Sequence, residues 1–161
     1  MNSSDILATA RRQEMNRREA KRWLKRVYYQ TLKVEAERRA LNVIEARVNN
    51  AVGKLENDGA SIDRGQSNKK HEDMLLSYAQ KNEDLEKEEI KLSKLKHETR
   101  MVISKIRDDR LESIAGHRYV DCLAWRDVEK IDAFSHSHIM RLQNEILNRI
   151  AVILLKEEET E

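Results

Sequence analysis

Not one of the 161 residues is proline and only four are glycine, so almost nothing along the chain interrupts the hydrogen-bond ladder of a helix. With Asp, Glu, Lys and Arg making up 37% of the residues, this predicts an all-α protein without sheet. Aromatic residues are 4% and the mean hydropathy is -0.81. Apolar side chains are therefore too few for one large globular core at this length, and elongated helices that need only a narrow apolar seam fit better.

Such a seam is legible twice. In the first half, Ala20, Val27, Val34, Leu41, Val48 and Leu55 recur every seven residues, supported by Trp23, Leu24, Tyr28, Ile44 and Val52, which is coiled-coil spacing. Thr31, Arg38 and Glu45 occupy companion positions that a strong two-stranded coil fills with Leu, so the seam belongs to a hairpin or bundle. Residues 57–70 contain Gly59 and Gly65 among Asn, Asp and Ser and predict a flexible loop. A second helix is expected from near His71, with Leu75, Tyr78, Leu85, Leu92, Leu95, Val102 and Ile106 as its apolar set. The connection is short, so the economical arrangement is an antiparallel pair. Residues 1–107 then form a long helical hairpin or coiled coil suited to oligomerisation, a dimer or higher.

The segment 108–155 reads as a three-helix helix-turn-helix unit. Asp108 or Asp109 can cap a helix whose inner face is Leu111, Ile114, Ala115 and Tyr119. Asp121-Cys122-Leu123 breaks it, and Trp125 opens the next helix, with Val128 and Ile131 inward. Asp132-Ala133-Phe134 makes the turn, and Ser135 caps a third helix with the stripe Ile139, Leu142, Ile146, Ile150 and Ile153. His136, Ser137, His138 and Arg141 remain on the opposite side near its amino end. These are hydrogen-bonding groups; Arg forks onto guanine, and Ser and His reach bases or phosphate. A small three-helix unit of this kind offers no obvious catalytic cleft but presents a helix to the DNA major groove. Read blandly, the same segment is one more amphipathic helix of a bundle.

Net charge is only +2, but it is unevenly spread. Between Arg11 and Arg26 eight basic residues face two acidic ones, Glu14 and Glu19, a face able to contact phosphates or simply to stay solvated. The tail 156–161 is acidic. No stretch approaches the roughly 20 apolar residues of a membrane span, and no signal-like segment opens the chain, so a cytoplasmic protein with no membrane partner is expected. The lone Cys122 excludes an internal disulfide. Cys122, His136 and His138 lack the paired spacing and the fourth ligand of a zinc site, His117 and Cys122 lack a third orienting group for catalysis, and no phosphate-binding glycine loop is present. No enzyme activity, metal or cofactor is expected.

Glu19-Ala20-Lys21-Arg22-Trp23-Leu24, Arg118-Tyr119-Val120-Asp121 with Leu123-Ala124-Trp125, and Phe134-Ser135-His136-Ser137-His138-Ile139-Met140-Arg141-Leu142 together resemble the phage late-gene transcription activators of the RinA and ArpU type, whose helix-turn-helix is similar to region 4 of bacterial sigma factors. The likeness spans most of the chain. It implies an activator of packaging and structural genes that binds double-stranded DNA and acts with host RNA polymerase in the bacterial cytoplasm. His136, Ser137, His138 and Arg141 would make base or phosphate contacts, with Trp125 and Arg126 near the backbone. Three residues depart from the pattern: Cys122 where Gly is common, Glu129 where a small residue packs between helices, and Asp132 where an apolar residue is expected. A phage terminase small subunit recognising a packaging site, or a coiled-coil scaffold that binds no DNA, are the alternatives.

Overall fold

The computed structural model describes residues 3–57 and 64–158. All regular elements among them are helical: α1 (Ser3–Asn57), α2 (Arg64–Ser104), α3 (Asp109–Ala115) continuing into a π-helical turn (Gly116–Val120), α4 (Trp125–Asp132) and α5 (His136–Glu158). The expected all-α plan, an antiparallel helical pair followed by a helix-turn-helix, is what the chain forms. Of the loop expected over 57–70, residues 58–63 lie outside the described residues. From Arg64 onward the chain is helix, so α2 starts ahead of His71. Gly65 sits in its first turn, where backbone N–H groups have no intrahelical acceptor. The third helix of the carboxyl-terminal unit is long, 23 residues, because its apolar stripe persists to Ile153.

The chain divides into two compact units, and their boundary does not follow a division at 107/108. One comprises residues 1–29 with 93–161, the other residues 30–92. In the second, antiparallel stretches of α1 and α2 meet along a thin seam of Val34, Leu41 and Leu85, with Tyr78 and Leu92 packed against it. Around this seam the contacts are polar. Glu37 pairs with Lys81 at 3.2 Å and Arg38 with Glu89 at 2.5 Å. Gln30 Nε2 donates to the Glu88 carboxylate at 2.7 Å and to the Glu88 carbonyl at 3.1 Å. Lys33 and Lys91 each approach Glu88 to 3.0 Å. The expected apolar set is only partly used: Leu75 and Val52 are exposed and Val48 is half-buried, since the polar companion positions leave too little apolar surface to close the seam.

The first unit holds the larger core. Ala20 and Leu24 of α1 and Val102, Ile103 and Ile106 of α2 join the inner faces of the carboxyl-terminal helices: Leu111, Ile114 and Ala115 of α3, Tyr119, Val120, Val128 of α4, and Ile139, Leu142, Ile146 and Ile150 of α5. Each fully buried Leu or Ile contributes roughly 1.5–3 kcal/mol. The amino-terminal stretch with its eight basic residues is thus built into the body that carries the helix-turn-helix. Two expected core positions fall outside it. Tyr28 is 45% and Ile131 55% exposed, because both lie just off the inward faces of their helices, and Tyr28 packs edge-on against Tyr29 instead.

Two outcomes follow. Leu24→Ala, at a site 1% exposed, should cost about 2–5 kcal/mol and reduce hydrogen-exchange protection of α5 amides from Ile139 to Ile150; unchanged protection there would separate α1 from this core. Gln30, Lys91 and Lys33 hold the Glu88 carboxyl down from its ordinary 4.5 to about 2. A depressed carboxylate keeps its stabilising contribution above 4.5 and loses it as pH falls toward 2. An NMR titration should therefore place the Glu88 midpoint well below those of other glutamates, and Gln30→Ala should raise it.

Candidate nucleic-acid interface

The helix-turn-helix is assembled from local signals. Asp108 caps α3, its carboxylate accepting from the N–H groups of Arg110 and Leu111 at 3.1 Å, while Glu112 reaches back to the Asp108 N–H at 3.2 Å, a reciprocal pairing like that of a capping box but one residue longer. The helix then widens into the π turn, closed by Asp121 N–H donating to the Gly116 carbonyl at 3.0 Å, which brings both Tyr119 and Val120 into the core. Cys122 follows with φ 59°. This left-handed conformation lets the Leu123 N–H reach the His117 carbonyl at 3.0 Å and is the physical reason that glycine suits this position.

Helix α4 ends at Ala133, also left-handed at φ 54°, with Phe134 N–H donating to the Glu129 carbonyl at 3.2 Å, a Schellman closure. Three residues, Ala133 to Ser135, make the turn. Ser135 caps α5 as expected: its Oγ accepts from the His138 N–H at 3.4 Å, and its carbonyl accepts from Ile139 N–H at 3.0 Å.

The structure separates the six residues expected to meet DNA. Trp125 is half-buried, its ring edge-on to Tyr119 at 6.3 Å and covered by the Arg118 guanidinium at 5.2 Å. It wedges the start of α4 against the π turn. Burial pushes the Tyr119 phenol up, opposed by Gln143 and by the Arg118 charge. His138 turns back to the turn: Arg110 Nη2 lies 2.6 Å from its Nε2, Phe134 packs edge-on at 5.0 Å, and Arg110 also covers the Phe134 ring at 4.2 Å. Since Arg only donates, that imidazole nitrogen accepts. His136 is exposed but spans the turn, with Nδ1 2.6 Å from Glu129 Oε1. Glu129, where the resemblance leads one to expect a small residue, is thus accommodated by a hydrogen-bonding partner on the neighbouring helix. Asp132 fares less well: it is half-buried, and its Oδ2 is shielded from solvent without a hydrogen-bond partner among the described residues.

Arg126, Ser137 and Arg141 remain exposed. Asn144, also exposed, extends the same outer face of α5 one turn beyond Ser137 and Arg141, and its amide is suited to adenine. It escaped the sequence analysis, although its spacing of three from Arg141 places it on that face. Beside this face, Lys21 and Lys25 of α1, Arg118, Trp125 and Met140 of α5 border a groove of about 460 Å³. Among the described residues, no group of three or more His, Cys, Asp or Glu side chains is arranged to hold a metal ion, and no helix is long and apolar enough to cross a membrane. No protein-family model, curated protein or solved structure matches the chain.

Because Cys122 holds a conformation that costs an L-residue roughly 1–2 kcal/mol, Cys122→Gly should leave the fold unchanged and raise the urea midpoint. A lower midpoint would mean that the contacts of its half-buried side chain, or the greater freedom of glycine in the unfolded chain, outweigh the relief.

Proposed function

We propose that this protein is a sequence-specific DNA-binding regulator, an activator of phage late genes that works with host RNA polymerase. The observation that carries the reading is the division of labour around the three-residue turn. Glu129 with His136, and Arg110 with Phe134 and His138, brace α4 against α5, while Ser137, Arg141 and Asn144 stand exposed along one face of α5. A braced helix with exposed hydrogen-bonding side chains near its amino end suits insertion into the major groove. The resemblance to RinA- and ArpU-type activators supplies the late-gene assignment.

One such helix reads only a few base pairs, and specific complexes bury on the order of 1,000 Å² or more of protein. Two copies on paired half-sites meet that need. Leu32, Val43, Leu76 and Ile90 are exposed apolar side chains on the 30–92 hairpin, and covering such groups stabilises association. A homodimer or higher homo-oligomer is part of the proposal.

Selection of genomic fragments bound by the purified protein at near-physiological salt should enrich a promoter-proximal site. Arg141→Ala should weaken that site by about 1–3 kcal/mol with little effect on unrelated DNA. Enrichment at a packaging site would reassign the protein to a terminase small subunit, and absence of any enrichment would overturn DNA reading altogether.

A further inference from the structure

The groove beside α5 is lined by cations and by no carboxylate: Lys21, Lys25 and Arg118 border it together with Tyr119, Trp125 and Met140. In the 30–92 unit, Lys33, Arg38 and Lys81 each sit on a glutamate. None of the three groove cations has an acidic partner among the described residues; Arg118 instead donates to the Leu123 carbonyl at 2.7 Å and covers the Trp125 ring. That fixed guanidinium is already oriented, so little side-chain freedom is lost when it meets an anion. Lys21 and Lys25 lie one helical turn apart on α1, about 5–6 Å between Cβ atoms.

We infer that this groove is a second DNA contact, a clamp in which Lys21, Lys25 and Arg118 grip the sugar-phosphate backbone beside the bases that α5 reads. The inference rests on the DNA-binding reading above. Its geometry follows from Met140, which borders the groove and adjoins Arg141 on α5. A helix about 10–12 Å across fills a major groove about 12 Å wide, so groups along its flank meet the phosphates that line that groove. The negative charge missing from the protein is then supplied by the duplex. Contacts of this kind hold the register of a complex without choosing its sequence.

The test is the double variant Lys21→Gln/Lys25→Gln in the full chain, with affinity measured over a salt series on the selected site and on random-sequence duplex. Each phosphate contact contributes about 0.9 to the slope of log affinity against log salt. The slope should therefore become shallower by about 2, with the same fold-loss on both DNAs and an unchanged preference between them. Wild-type binding with an unchanged slope in the variant would overturn the clamp, assign the groove to another anionic surface such as an acidic protein segment, and leave α5 as the reading helix. A changed sequence preference would also overturn it, by making the lysines base contacts. If the wild-type chain binds neither DNA, the clamp and the proposed function fail together.

Discussion

The carboxyl-terminal helices cannot bury their apolar faces against one another alone, and that constraint organises the unit they belong to. α3 and α4 are 7 and 8 residues long, too short to hold themselves in water. Their inner residues reach full burial only because Leu24 and Ala20 of α1 and Val102, Ile103 and Ile106 of α2 complete the core. The same packing draws the basic stretch Arg11 to Arg26 into the body of the helix-turn-helix. The basic stretch and α5 are thereby held in one unit by hydrophobic contact.

Around the turn the structure uses polar side chains for rigidity. Two histidines that look like free hydrogen-bonding groups are engaged by Glu129 and by Arg110 with Phe134. Each such exposed contact is worth about 1 kcal/mol or less, yet together with the Ser135 cap they join α4 to the first turn of α5 from both sides. Ser137, Arg141 and Asn144 take no part in those two contacts and stand exposed along the outer face of α5. Three further residues are settled in the same physical terms. Cys122 accepts the left-handed conformation that glycine would adopt more cheaply, Glu129 is matched by His136, and Asp132 keeps a shielded oxygen unpaired.

The 30–92 hairpin is stabilised differently. Its apolar seam is thin, and Glu88 gathers Gln30, Lys33 and Lys91 into one network. A long helical pair can rest on so little apolar contact because consecutive backbone hydrogen bonds are satisfied within each helix and the seam only has to fix register. Leu32, Val43, Leu76 and Ile90 remain outside it.

The amino-acid sequence alone determined the helical class, the antiparallel pair, the cap at Ser135 and the inward stripe of α5, since absent prolines, seven-residue spacing and capping side chains act within a few turns of themselves. The resemblance, in turn, pointed to Cys122 as standing where glycine is common. Only the tertiary structure decided that α1 completes the core of the helix-turn-helix, that His136 and His138 brace the turn, that Tyr28 and Ile131 face outward, and that Lys21 and Lys25 border the same groove as Arg118. Those outcomes depend on contacts between residues far apart in the chain, where a small rotation of one helix exchanges which side chain meets a partner and which meets water.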